Sequence, residues 1–173
     1  PRKNGKSQLG AALALYALIA DSRDASPVVV SAAADRAQAK LVFDEACRMV
    51  RMSPALSEAC TVLRNEIRCH RNGGSYRAVS ADAGSQQGLN PSAVIFDEYH
   101  VQKNDDLMDA LRLGSAARRA PLMVVISTAG YDLGSPLGRM YMAGLRLDGH
   151  LINGVAQAGE DVDRSFGMSW FGP

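Results

Sequence analysis

The chain has 173 residues, of which 47% are apolar, with 19 Lys and Arg against 18 Asp and Glu and a formal net charge of +1. That length suits one α/β unit with its own core, and the near-neutral balance excludes a binder that holds nucleic acid through a broad basic face. Cys47, Cys60 and Cys69 lack Cys-x-x-Cys spacing, and two of them fall in helical patterns. They read as small reduced hydrophobes of a cytosolic protein, and no stretch has the roughly 18 apolar residues that span a bilayer.

The chain opens on Pro1-Arg2-Lys3-Asn4-Gly5-Lys6-Ser7. A nucleoside triphosphate needs converging backbone N–H donors, a cation near its β/γ bridge and a hydroxyl for Mg²⁺. Gly5 lets a loop curl round phosphate, Lys6 reaches the β- and γ-phosphates and Ser7 ligates the metal. The strand that normally precedes such a loop would lie upstream of Pro1. A basic, glycine-containing loop without a ligand is the other reading of this heptad alone. Leu9, Ala12, Leu13, Tyr16, Ala17 and Ala20 then recur at helical spacing before the polar Asp21-Ser22-Arg23-Asp24, so the loop opens a helix.

Pro27 to Ala32 is a strand. Asp35 to Val50 is an amphipathic helix with Asp35 as N-cap and Ala39, Val42, Phe43, Ala46 and Val50 on one side. A helical stretch follows from Pro54 to about Ile67, then a turn over Arg71 to Ser75, an extended segment from Tyr76 to Ser80 and a loop from Ala81 to Pro91.

Ala93 to Phe96 is a short apolar run ending in Asp97 and Glu98, as a buried parallel strand reads when its C-terminal end presents two carboxylates. Ligands of open α/β sheets bind at that end. Asp97 is placed to hold Mg²⁺, and Glu98 to orient or deprotonate an attacking water. Leu107 to Ala117 is helical. Leu122 to Ile126 is a strand ending in Ser127-Thr128-Ala129-Gly130, where the Thr128 and Ser127 hydroxyls could reach the γ-phosphate, the water or Glu98. The tail from Leu151 through Trp170 has two weak strand patterns that could complete the sheet. This alternation predicts a mostly parallel α/β sheet with helices on both faces, and the Gly5-Lys6-Ser7 loop with the Asp97-Glu98 strand end makes the expected class a P-loop NTPase (RecA/ASCE-like), its first strand lying upstream.

The blocks PRKNGKS, SAAADRAQAKLVFDEACRMV, SADAGSQQGLNPSAVIFDEYH and GSAARRAPLMVVISTAG, in that order, resemble the ATPase domain of tailed-phage terminase large subunits over roughly residues 1 to 145. The resemblance implies a motor that uses ATP and Mg²⁺ to drive double-stranded viral DNA into a procapsid through a portal. It further implies a small terminase subunit as partner, a homo-oligomeric ring on the procapsid and work in the host cell cytoplasm. It carries over Arg2, Lys3, Asn4, Gly5, Lys6 and Ser7 as the nucleotide-binding segment, Ser7 and Asp97 as metal ligands, Glu98 as the catalytic carboxylate and residues 127–130 as the coupling motif. Residues 1–173 are then one ATPase domain, truncated at its N-terminus and without the family's C-terminal nuclease domain, so no DNA cleavage is expected of them.

Phosphoryl-transfer motors generally need an arginine at the transition state, often from a neighbouring subunit. Arg118 is favoured over Arg112, Arg119 and Arg139, because it lies just before the strand bearing Ser127, where the resembling family usually has arginine. His100 reads as a surface or cap histidine, although Asp-Glu-Tyr-His also resembles the box of DExH helicases. A helicase-like translocase and a nucleotide-binding module without turnover are the alternatives.

Overall fold

The computed structural model describes residues 5–21, 23–81, 88–128, 130–147, 151–152, 155–156 and 165–168. The chain runs α1 (Lys6–Ile19), β1 (Val28–Ala33), α2 (Arg36–Met52), α3 (Pro54–Ala59), β2 (Cys60–Val62), β3 (Ile67–Cys69), β4 (Ser75–Ser80) and β5 (Ala93–Asp97). A 3-10 turn over Tyr99–Val101 leads to α4 (Asp106–Ser115), β6 (Leu122–Ile126), α5 (Pro136–Leu147), β7 (Leu151–Ile152) and β8 (Val155–Ala156). Six strands form one sheet in the order β2-β3-β4-β1-β5-β6, with β4, β1, β5 and β6 parallel and β2 and β3 antiparallel.

Successive side chains of a strand face opposite sides, and both sides here are covered. Val29, Ala93 and Ile95 pack with α1 and α2. Val30, Ala32, Val94 and Phe96 pack with Tyr99 and with Leu107, Met108 and Leu111 of α4, and Leu137 and Met140 of α5 close the same layer. Every residue of β5 is buried. This is the doubly covered parallel strand that an unbroken apolar run predicts.

Between Lys6 and Ile19, α1 has no charged residue, so it can bury almost any face. Gly10 is where it lies hardest on the sheet: a Cβ there would come 3.1 Å from Ile95 Cγ2 and 3.3 Å from Ile126 Cδ1. The start of α2 is fixed by its cap, Asp35 Oδ1 accepting from the Gln38 amide at 2.9 Å. Its buried Phe43 meets Tyr76 of β4 edge to face, with ring centroids 5.3 Å apart. A fully buried side chain of that size contributes about 1.5–3 kcal/mol.

Three expectations need correction. The helix from Pro54 stops at Ala59, because Cys60-Thr61-Val62 pairs with Ile67-Arg68-Cys69 in an antiparallel hairpin. Cys60 therefore sits on a strand directly opposite Cys69, and not on a helix. The tail strands β7 and β8 pair with each other in a separate two-stranded sheet and leave the main sheet at six strands; Trp170 lies outside the described residues. Finally, α5 is a helix that the sequence reading did not mark.

Candidate nucleotide site at the C-terminal end of the sheet

Gly5 takes φ 70° and ψ 18°, a left-handed conformation that costs a residue with a Cβ about 1 kcal/mol or more, and α1 begins at the next residue. Among the described residues no side chain caps this helix start, and its first turn has no acidic residue. The unpaired N–H groups and the positive end of the helix dipole are therefore left for an anion from elsewhere. Lys6 and Ser7 occupy that first turn. Arg2, Lys3 and Asn4 lie outside the described residues.

Asp97 closes β5 with 3% of its surface exposed. Its Oδ1 accepts a hydrogen bond from the Glu98 amide at 3.0 Å. Burial pushes its carboxyl above the ordinary range and the Glu98 charge adds to this, while the Glu98 N–H and the nearby Lys6 and His100 pull the other way. A divalent cation beside Asp97 would relieve the cost of that buried charge, so the carboxylate fits a metal ligand.

Glu98 then breaks from the strand into φ 50° and ψ 47°, the one positive φ among the described non-glycine residues. Such a conformation costs roughly 1–2 kcal/mol in a residue with a side chain, and strain of this kind collects at functional positions. The turn that follows is anchored by Tyr99, whose ring packs edge-on against Phe96 at 4.9 Å and whose hydroxyl donates to Asp105 at 2.8 Å. Burial first, and then Asp105, raise the Tyr99 phenol far above its usual range, so it stays a donor. In this position the Glu98 carboxylate lies between two cationic or donor groups: Lys6 Nζ is 3.6 Å from Oε1 and His100 Nδ1 is 3.1 Å from Oε2.

The register of β5 with β6, Phe96 opposite Val125 and Asp97 opposite Ile126, sets Ser127 beside this turn. The His100 backbone N–H donates to Ser127 Oγ at 3.0 Å, and Ser127 Oγ donates to the Thr128 carbonyl at 2.9 Å. Thr128 Oγ1 lies 3.3 Å from His100 Nδ1 and 3.4 Å from Nε2. Ala129 is outside the described residues. Lys6, Asp97, Glu98, Ser127 and Thr128, distant in sequence, thus meet at one end of the sheet. The fold adds His100, which the sequence reading placed at the surface. The signal was the Asp-Glu-Tyr-His spacing itself: a left-handed residue followed by a tight turn brings the residue two after Glu98 back beside it.

Arg118 is not among them. It precedes β6 and lies where the parallel strands begin, donating through Nε to Asn90 O at 3.0 Å and Asn90 Oδ1 at 2.9 Å, and through a terminal nitrogen to Asn90 O at 2.8 Å. Asp24 stands 3.8 Å away as its ion-pair partner. A five-residue strand separates it from Glu98, about 15 Å along the sheet. The intervening strand carries Arg118 and Ser127 to opposite ends of the sheet, so within its own subunit Arg118 stands apart from Glu98, as an arginine offered to a neighbouring subunit's site also would. Arg139 pairs with Asp105, and Arg112 and Arg119 are exposed on and just after α4. His70 bridges Thr61 Oγ1, 2.7 Å away, and the Glu58 carbonyl, 3.0 Å away, within the hairpin region. A cavity of about 510 Å³ lies on the α4 and α5 side of β6, walled by Met123, Val125, Leu137 and Met140 and reaching Ser127 and Thr128.

A helix opening on a left-handed glycine and Lys-Ser, set against the exit of a buried parallel strand that bears two carboxylates, places this chain among the P-loop NTPases of the RecA/ASCE-like kind. Within that class it belongs to the terminase large subunit ATPase domain family, whose model matches residues 1–143. It is 31% identical over 177 residues to the large terminase subunit of Enterobacteria phage HK97, covering 98% of this chain and 34% of that protein. The crystal structure of the HK97 large terminase superposes with a TM-score of 0.77 at 30% identity, over 83% of this chain and 31% of that one. The large terminase ATPase domain of a Thermus phage has the same fold, with a TM-score of 0.70 at 21% identity over 95% of this chain and 70% of that one. The chain thus spans about a third of the length of the curated HK97 relative.

Proposed function

We propose that this chain hydrolyses ATP to drive double-stranded viral DNA into a procapsid. The observation that carries the reading is the convergence of Lys6, Glu98 and the Ser127-Thr128 turn at one end of the sheet, in a chain that belongs to the terminase ATPase family.

In this reading the amides from Gly5 through Ser7 cradle the phosphates, with Arg2, Lys3 and Asn4 completing the loop. Lys6 leaves its contact with Glu98 for the β- and γ-phosphate oxygens, which offer a stronger anionic partner. Ser7 and Asp97 would hold Mg²⁺, which would draw charge from the phosphate oxygens. Glu98 orients a water in line with the γ-phosphorus and accepts its proton. The new P–O bond forms as the bond to the bridging oxygen breaks, and ADP leaves with that electron pair. Thr128 faces the same pocket and reports its state to α5. Arg118 braces the far end of the sheet in its own subunit, so the arginine that stabilises the transition state comes from a neighbouring subunit of a ring, with that neighbour's Arg118 the favoured candidate. A portal, a small terminase subunit and the host cytoplasm complete the proposed setting.

The test is steady-state ATP turnover by the full-length protein with duplex DNA and portal-bearing procapsids, against single-stranded DNA alone. Turnover that rises with duplex and procapsid is the expected result. A response confined to single strands would replace the packaging motor with a helicase-like translocase, and binding without turnover in every condition would leave a nucleotide-binding module.

A further inference from the structure

We propose that His100 is a positioning residue that sets the Glu98 carboxylate and ties it to the Ser127-Thr128 end of β6. This rests on the reading of Glu98 as the group that activates water, and it deepens that reading.

Three features carry it. First, the His100 imidazole touches both Glu98 and the β6 exit: Nδ1 lies 3.1 Å from Glu98 Oε2 and 3.1 Å from Ser127 Oγ, with Thr128 Oγ1 at 3.3 Å. Second, the hydrogens can be assigned in one consistent way. Ser127 Oγ accepts from the His100 backbone N–H and gives its own proton to the Thr128 carbonyl, so it has none left for Nδ1. With an acceptor-only carboxylate 3.1 Å away and Ser127 already committed, the favoured tautomer carries its hydrogen on Nδ1 and donates it to Glu98 Oε2. Third, Glu98 needs such a brace, because its φ of 50° is held by its surroundings and not by its own preference.

The consequence is mechanical. Lys6 is called away from Glu98 by phosphate, whereas His100, bonded through its backbone to Ser127, stays in place and keeps Glu98 aimed. Because the same residue is bonded to Ser127, a shift of the β6 exit would move Glu98, and the reverse. Hydrolysis and the turn leading to α5 are thus joined through one side chain.

The experiment measures kcat, the KM for ATP, ATP affinity and melting temperature in the full-length protein. It compares wild type with His100→Ala, His100→Asn, His100→Gln, Ser127→Ala and the His100→Ala/Ser127→Ala pair, with Glu98→Gln as reference. An Asn amide nitrogen falls near where Nδ1 stood, whereas a Gln amide falls near Nε2. Expected are a loss in kcat of about 10- to 100-fold for His100→Ala with KM and affinity unchanged, substantial rescue by Asn but not by Gln, and a double variant no worse than His100→Ala alone. Wild-type kcat in His100→Ala beside an inactive Glu98→Gln would overturn the role of His100 and leave the site standing. Equal failure of Asn and Gln, or full additivity with Ser127→Ala, would also overturn it. Should Ala alone melt out, the split between Asn and Gln decides. Turnover persisting in Glu98→Gln would instead remove the reading on which the proposal rests.

Discussion

Where β1, β5 and β6 begin, polar groups are matched to partners of fixed geometry. Ser92 takes the Val28 amide on its hydroxyl at 3.1 Å, donates its own amide to the Val28 carbonyl at 2.7 Å and accepts from the Leu122 amide at 2.9 Å, while Arg118 clamps Asn90 beside it. Where the same strands end, a buried carboxylate accepts a hydrogen bond from its neighbour's amide, a glutamate is held in a left-handed turn, and the side chains around it remain partly exposed. The first end closes the sheet by satisfying its donors and acceptors. The second keeps charge and strain available for a ligand, at a cost in stability that the rest of the fold offsets. Stability and chemistry are thus separated by one strand length.

If this contrast is right, substitutions at the two ends should fail in different assays. Lys6→Ala should lower ATP turnover by about 100-fold or more and weaken ATP binding, with little change in melting temperature; a turnover within a few-fold of wild type would remove Lys6 from the chemistry. At the opposite end, Gly114→Ala should act on stability alone. A Cβ there would lie 2.3 Å from the Leu89 carbonyl oxygen, so α4 or the chain entering β5 must move. The expected loss is about 1–3 kcal/mol, read as an earlier urea midpoint with the KM for ATP retained.

Arg118→Ala sharpens the comparison most. It strips partners from the Asn90 carbonyl and from Asp24, and should cost about 1–3 kcal/mol of stability while turnover per folded molecule stays within about twofold in the isolated subunit. Lost turnover in the isolated subunit with normal folding and ATP binding would break the division and give Arg118 a part in its own subunit's reaction. The smallest change in stability is expected from Asp97→Asn. Burial raises the Asp97 carboxyl pKa above its unfolded value, so the folded chain holds that proton more tightly. The group therefore favours folding at low pH, and this contribution is lost as pH rises through the folded-state pKa. Asp97→Asn should raise the melting temperature slightly at neutral pH in Mg²⁺-free buffer, although it stops turnover; a lower melting temperature would mean that the charge is stabilised in place.

Much of this was legible before any coordinates. Periodicity marked α1, α2 and α4, and the unbroken apolar runs marked β1, β5 and β6, because the side or sides each segment buries are written in its own residues. The hairpin of β2 and β3 was hidden, since Cys60 to Leu63 is apolar enough for either period and only its pairing with Ile67 to Cys69 decides the matter. Helix α5 was masked by Gly138 and Gly144, which weaken a helical signal, while its start is secured by Ser135 Oγ accepting from the Gly138 amide at 3.1 Å. At the site, residue types and their order were enough to mark Lys6, Asp97 and Glu98. The contact of His100 with Ser127 depends on strand register, and the removal of Arg118 to the far end depends on strand direction. Neither is written in local pattern.

The central claim is that Glu98 acts on water and not on nucleotide binding. It is tested most directly by measuring Mg·ATP affinity and steady-state hydrolysis side by side in wild type and Glu98→Gln of the full-length protein. Affinity unchanged within a few-fold, with turnover down by about 100-fold or more, is the predicted result. Hydrolysis that survives the substitution, or binding and turnover lost in equal measure, would contradict it.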